Sequence, residues 1–244
     1  MSNTHFGFKT VTSEEKTSLV RGVFDAVASR YDLMNDAMSL GLHRWWKQTF
    51  AAQVEIRPGM RALDVAGGTG DIAFRLHARG VQHITICDIN QAMLEEGRKR
   101  ADDRNILSGV DWLCANAESL PLPSHHFHLY TIAFGMRNVT HIQQALSEAH
   151  RVLLPGGRFL CLEFRNVLEG MLAKFYDAYS FQVIPKLGQL IAGDSAPYQY
   201  LVESIRRFPT QETFTAMIEK AGFRQVRATT LAGRVVAIHS GYKI

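Results

Sequence analysis

Arg61-Ala-Leu-Asp-Val-Ala-Gly67-Gly68-Thr69-Gly70-Asp71-Ile-Ala-Phe is a β-rich run that breaks into a glycine turn and resumes with helical spacing. Strand, tight turn and helix in that order set backbone N–H groups at a helix N-terminus, a ready cradle for a ligand. Gly68-x-Gly70-x-x-Ala73 also satisfies the relaxed dinucleotide fingerprint, and Asp88 follows Gly68 by twenty residues. Taken alone, such a glycine loop is a weak signal.

The surroundings strengthen it. Further β-rich runs at 83–88, 110–114, 129–134 and 158–164 join the first run at 61–66 and alternate with helix-like stretches at 72–79, 93–103 and 142–153. That alternation implies right-handed crossovers and a parallel sheet. Thr12-Ser-Glu-Glu15 reads as a capping box opening a helix that reaches about Arg30. Near the other end, Pro209-Thr210 starts a helix that Ala221-Gly222 stops. Runs 224–231 and 235–240 then flank Ala232-Gly233-Arg234, a hairpin pattern. The expectation is an α/β fold with a seven-stranded, mostly parallel sheet, helices on both faces and a C-terminal β-hairpin. One domain covers 1–244: an N-terminal helical cap at 1–50, a ligand-binding core at 61–165, an insertion or lid at 166–208, and the helix with its hairpin at 209–244.

Composition bounds the function. With 46% hydrophobic and 20% charged residues, the 244-residue chain lies in the globular range. Its 27 Lys+Arg against 23 Asp+Glu leave a net charge of +4, too mild for a nucleic-acid footprint. No apolar run approaches a membrane span, and residues 1–15 are too polar for a secretory signal. A cytoplasmic location follows as the expectation. Cys87, Cys114 and Cys161 each sit in an apolar run and read as buried, reduced thiols. His125-His126-x-His128 lacks a Cys or Asp partner set, so no metal site is assigned.

Two carboxylates bear on the ligand. Asp64 lies in the strand before the loop, and Asp71 opens the helix where a pyrophosphate would dock. A carboxylate about 4 Å from a phosphate costs on the order of 4 kcal/mol at an effective dielectric of 20. A ligand with an amine and a sulfonium but no phosphate suits the loop better, and S-adenosylmethionine has that charge pattern. Gly67 and Gly68 would let it approach the backbone. Asp88, ending a strand, can accept both ribose hydroxyls, and Asn116-Ala117 after the next strand can read an adenine edge. These groups converge on one crevice at the carboxyl ends of the strands.

Beyond the core, Tyr31-Asp-Leu-Met-Asn35-Asp-Ala-Met-Ser39-Leu-Gly-Leu-His43-Arg-Trp-Trp46 and Arg151-Val-Leu-Leu-Pro-Gly-Gly157 through Glu163 resemble the two signatures of the ubiquinone/menaquinone biosynthesis C-methyltransferases. Phe134-Gly-Met-Arg137-Asn138, Tyr176-Asp-Ala-Tyr179 and Gly241-Tyr-Lys243 are similar to further motifs of that family, over roughly residues 5 to 244. The resemblance implies a Rossmann-like class I methyltransferase with S-adenosylmethionine as donor. The implied acceptor is a polyprenylated benzoquinol or naphthoquinol, such as 2-polyprenyl-6-methoxy-1,4-benzoquinol or demethylmenaquinol. It carries cofactor contacts onto Thr69, Asp88, Asn116 and Ala117. Ala133, Leu154 and Arg165 depart from the family pattern, which commonly has Ser, Lys and Ser there.

Methylating a ring carbon requires a phenolate beside it, a proton acceptor and a site poor in water. Arg137, ending the fourth run, is too basic to take a proton but can stabilise the developing oxygen charge. Asn138 can orient the same oxygen, and Tyr31 and His43 are candidates for proton transfer if the N-terminal segment folds over the site. Residues 171–193, aromatic and poor in charge, suggest a wall for a prenyl tail, with transient contact at the inner face of a membrane. A homodimer or a biosynthetic complex is compatible with the chain; a nucleic-acid partner is not expected. Two alternatives stay open from the residues: an NAD-dependent oxidoreductase, and a methyltransferase acting on another small aromatic or lipid acceptor.

Overall fold

The computed structural model of the chain describes residues 3–27, 36, 39, 41–165, 196–231 and 235–244. A small antiparallel pair comes first, β1 (Asn3–Phe6) and β2 (Lys9–Thr12), then α1 (Ser13–Val27) and α2 (Leu42–Ala52). The core alternates β3 (Arg61–Val65), α3 (Asp71–Ala78), β4 (His83–Asp88), α4 (Gln91–Asp103), β5 (Val110–Cys114) and β6 (Phe127–Ala133). A 3₁₀ turn (Met136–Asn138), α5 (Ile142–Val152) and β7 (Leu153–Phe164) follow. The described chain closes with α6 (Ala196–Arg207), α7 (Gln211–Lys220), β8 (Arg224–Leu231) and β9 (Val236–Tyr242).

Seven strands form one sheet in the order β5-β4-β3-β6-β7-β9-β8. The first five run parallel, while β9 pairs antiparallel with both β7 and β8. The chain leaves β3 toward β4 and β5, then returns to place β6 on the other side of β3. The topological switch point therefore lies at the carboxyl ends of β3 and β6. Strand alternation builds two cores. Ala62, Ile84, Ile86 and Leu160 face α2 and α3 through Phe50, Phe74 and Leu76. Leu63, Cys87, Tyr130 and Phe159 face α5 and α7 through Leu146, Phe214 and Ile218. Helices thus cover both faces.

Local signals hold well where the chain supplies its own caps. The Thr12 hydroxyl accepts from the Glu15 N–H at 3.2 Å, and a Glu15 carboxylate oxygen accepts from the Thr12 N–H at 2.8 Å. That is the reciprocal capping box. Gly70, at φ +84°, turns the chain into α3, and a Cβ there would sit 2.8 Å from the Phe74 ring. The Gly241-Tyr-Lys243 motif is explained by the Lys243 ammonium. It donates to the carbonyls of His150, Arg151 and Leu153 at 2.6, 3.3 and 2.8 Å, satisfying the end of α5.

Three expectations change. Residues 1–50 are not purely helical, because β1 and β2 precede α1. That hairpin is held by distant partners: the Phe6 ring stacks on Tyr200 at 4.2 Å, and the Phe8 N–H donates to Glu203 at 3.0 Å. β7 begins at Leu153 rather than 158, since the Pro155-Gly156-Gly157 stretch is kept extended by main-chain bonds to Lys243 at 2.7 and 3.0 Å. Cys87 and Cys161 are buried, but Cys114 is exposed, because β5 is an edge strand. Residues 171–193, Tyr31 and the hairpin loop 232–234 lie outside the described residues.

Candidate functional site

A cavity of about 360 Å³ opens at the carboxyl ends of the parallel strands. Its floor is the glycine loop with Asp64, Asp88 and Asn116. Phe134, Arg137 and Asn138 after β6, with Phe164 at the end of β7, form the opposite wall. α1 crosses it as a roof, lining it with Thr17, Val20 and Phe24. Lys16 pins one end of α1 by donating to the Val139 carbonyl at 2.9 Å. Asn90 holds the other by donating to Asp25 at 2.8 Å and the Arg21 carbonyl at 3.2 Å. α1 therefore folds over the site.

On the loop side, Asp88 accepts the Gly68 N–H at 2.9 Å and the Asn90 N–H at 2.8 Å, one on each carboxylate oxygen. The carboxylate thus fixes the turn as well as facing the cavity. Burial pushes its pKa up to about 6 despite those donors. Asn116 Oδ1 accepts the Glu118 N–H at 2.9 Å, closing an Asx turn that leaves Nδ2 for recognition. Ala117 and Gly67 line the cavity beside it. Thr69 is buried, and its hydroxyl oxygen accepts from Arg100 at 3.1 Å, so the loop is tied to α4 through this side chain.

Asp64 is closely confined as well. It is 1% exposed; one oxygen accepts from the Thr131 hydroxyl at 2.7 Å, and the Ala73 N–H also favours its ionised form. Burial pushes its pKa up to about 7.

Asp71 behaves differently from the sequence expectation. It pairs with Lys47 at 2.8 Å and Arg75 at 3.1 Å. Burial pushes its carboxyl up, but the two cations outweigh that and hold it below the usual range. Its charge is thus largely offset, and the repulsion argued against a pyrophosphate loses force at this residue. Lys47 belongs to no motif in the sequence. Its place in the stripe His43, Trp46, Lys47, Phe50 was the available signal, since that spacing puts it on the buried face of α2.

On the opposite wall, Arg137 is ion-paired rather than a lone cation. Its Nη1 lies 2.9 Å from Glu163 Oε1, and its backbone N–H reaches Oε2 at 3.3 Å. It also donates to the Phe134 carbonyl and packs over the Phe164 ring at 5.5 Å. Glu163 is fully buried and also accepts from the Phe164 N–H at 2.8 Å. Gly135 exists for packing here: a Cβ would stand 2.3 Å from that of Ala66. Ala66 and Phe134 themselves hold positive φ values of 50° and 57°, conformations that concentrate where backbone is bent to serve a site. Asn138 Oδ1 accepts from the Tyr200 hydroxyl at 3.1 Å. His43 lines the cavity with Nδ1 2.9 Å from the Ser39 hydroxyl. Burial, then Lys47, lower its pKa, so it is neutral near pH 7.

The structure therefore gathers Gly67, Gly68, Thr69, Asp88, Asn116, Ala117, Arg137, Asn138 and His43 around one chamber. Lys47 also lines it, while Glu163 and Tyr200 stand behind the wall as the partners of Arg137 and Asn138. Among the described residues, no group of three His, Cys, Asp or Glu is placed to hold a metal ion, and His128 Nδ1 accepts the Arg61 N–H at 3.1 Å.

Sheet order, terminal antiparallel strand and glycine-loop crevice define a class I S-adenosylmethionine-dependent methyltransferase. A solved SAM-dependent methyltransferase from Aquifex aeolicus superposes with a TM-score of 0.59 at 16% identity, covering 81% of this chain and 89% of that one. At that identity the likeness speaks for fold alone. The model of the ubiE/COQ5 methyltransferase family matches residues 9–243, and the chain belongs to that family. The ubiquinone/menaquinone biosynthesis C-methyltransferase UbiE of Ruegeria sp. (strain TM1040) is 54% identical over 100% of this chain and 98% of its own. The mitochondrial 2-methoxy-6-polyprenyl-1,4-benzoquinol methylase of Danio rerio is 51% identical over 99% of this chain and 85% of its own. No described helix is long and apolar enough to cross a membrane.

Proposed function

We propose that the chain methylates a ring carbon of a polyprenylated quinol, using S-adenosylmethionine and no metal. The carrying observation is one chamber with a carboxylate and amide on its loop side and an aromatic wall bearing Arg137 and Asn138 opposite. When bound, the cofactor supplies a methyl group activated on a sulfonium. Asp88 holds the ribose hydroxyls, and the Asn116 amide with the Ala117 backbone reads the adenine.

For the acceptor, Asn138 donates to the quinol oxygen as it becomes phenolate, which enriches the adjacent ring carbon in electrons. Arg137 adds directional N–H groups, its net charge moderated by Glu163. His43, neutral near pH 7, takes the hydroxyl proton. The test combines purified protein, labelled S-adenosylmethionine and each demethylated quinol, benzoquinol and naphthoquinol, with products resolved. No labelled quinol from either would sink the reading.

Asp88→Ala is expected to weaken cofactor binding about 10- to 100-fold, the worth of charge-assisted hydrogen bonds of about 1.5–3 kcal/mol. Titration calorimetry on a variant with a normal melting curve checks it; an unchanged Kd would remove Asp88 from the ribose site.

A polyprenyl tail cannot disperse in water, since each methylene it shields is worth about 0.8 kcal/mol. We therefore place the protein transiently at a membrane surface, with Leu42 and Trp45, 48% and 51% exposed on α2, as the contact. Leu42 also lines the chamber, which joins that surface to the site. Vesicle flotation should show binding that Trp45→Ser weakens; equal flotation of both proteins would move the contact elsewhere.

A further inference from the structure

The wall opposite the glycine loop contains a contact that the proposed chemistry does not yet use. Tyr200, on α6, is 5% exposed and its hydroxyl reaches Asn138 Oδ1 at 3.1 Å. Its ring lies flat on Phe6, centroids 4.2 Å apart and planes within 13°, so the side chain is held from the N-terminal hairpin. Tyr200 does not itself line the chamber, whereas Asn138 does. We propose that Tyr200 is a positioning residue for methyl transfer, fixing the Asn138 amide so that its nitrogen, and not its oxygen, faces the substrate oxygen.

The argument is one of donor and acceptor count. A side-chain amide has one oxygen that accepts and one nitrogen that donates twice. A phenol that donates to the oxygen turns the nitrogen to the opposite side. Burial also raises the Tyr200 pKa, so the hydroxyl keeps its proton and stays a donor. An amide turned this way binds a phenolate better than a neutral phenol. One turned the other way would accept from the neutral hydroxyl and retain its proton. The distinction is between stabilising the reactive form of the substrate and stabilising the unreactive one. Preorganised donors of this kind act without rearrangement at the moment of reaction.

The neighbouring pair follows the same plan. Arg137 is fixed by Glu163 from β7, and Asn138 by Tyr200 from α6, so two adjacent residues on a short turn each take orientation from a buried partner far away in sequence. Asn138 lies on a 3₁₀ turn of three residues, too short to hold its side chains through helical packing.

This inference rests on the quinol reading above. The experiment measures kcat against pH for wild type and Tyr200→Phe, with labelled S-adenosylmethionine and a short-chain demethylated quinol. Tyr200→Phe keeps the ring stack. Expected are a roughly 10-fold lower kcat at neutral pH, an unchanged cofactor Kd, and a rising limb moved about one pH unit higher, so that activity recovers in alkaline buffer. Site-specific 3-fluorotyrosine at position 200, a stronger donor with the same fold, should move the limb the other way. In an Asn138→Ala background, Tyr200→Phe should add nothing further. A uniform loss with an unshifted limb, or additive losses in the double variant, would assign Tyr200 to packing and overturn the proposal. A wild type that methylates no quinol overturns the functional reading, and this inference with it.

Discussion

Arg137→Ala should abolish measurable turnover and at the same time destabilise the protein by about 3–5 kcal/mol, because it strands a buried carboxylate. Glu163 is fully buried and takes its cationic partner from Arg137 at 2.9 Å. The single substitution therefore mixes two losses. A second variant separates them. Arg137→Met combined with Glu163→Gln removes both charges and should regain most of the stability, with the aromatic wall still in place. It should regain no turnover if Arg137 serves the acceptor oxygen. Denaturant unfolding and single-turnover methyl transfer are the two readouts. Stability and turnover recovering together would mean that the pair is structural only.

The stability of the cofactor-free protein should fall by about 3 kcal/mol between pH 5 and pH 8.5 through Asp64. Burial raises its carboxyl from an ordinary value of 3.8 to about 7, opposed by the Thr131 hydroxyl and the Ala73 N–H and aided by Asp71 and Asp88. The sign follows from proton binding. Between these two values the native protein holds a proton that the unfolded chain has released. Stabilisation is therefore complete below about pH 4 and is lost as the pH rises through 7. Asp88, raised to about 6, slopes the same way, while buried His239, lowered to about 4, slopes the opposite way below pH 6.5. The comparison must therefore be made with Asp64→Asn, which cannot titrate and should flatten the profile by that amount. Parallel curves for the two proteins would show that Asp64 stays ionised in the fold.

What could be read from the sequence was what neighbouring residues decide among themselves. The capping box at Thr12, the turn at Gly70 and the acid at Asp88 are short-range patterns, and each occupies its expected place. The run of five crossover strands and a hairpin needed only periodicity and turn residues. The misses share a physical cause. The β1–β2 pair is polar and short, and it is organised by Tyr200 and Glu203 across the chain. Arg137 reads as an isolated cation because its partner lies on β7, and Asp71 reads as an isolated anion because Lys47 arrives from α2. Charge along a sequence says little about charge in a chamber, since a buried ion selects its counterion through the fold.

The antiparallel placement of β9 between β7 and β8 also has a consequence for biogenesis. When the ribosome has released the chain through Phe164, four strands can already flank β7 on one side, but its other edge is open. The strand that covers that edge, Val236–Tyr242, emerges only after residues 165–235 have been made. During that interval Leu160 and Leu162 and the unpaired main chain of β7 are available to any passing strand. The same late segment delivers the ammonium that finishes α5. The nascent chain therefore carries a nearly complete ligand crevice on a sheet whose flank is still unguarded, and its exposure to chaperones is set by how long translation takes to reach that one strand.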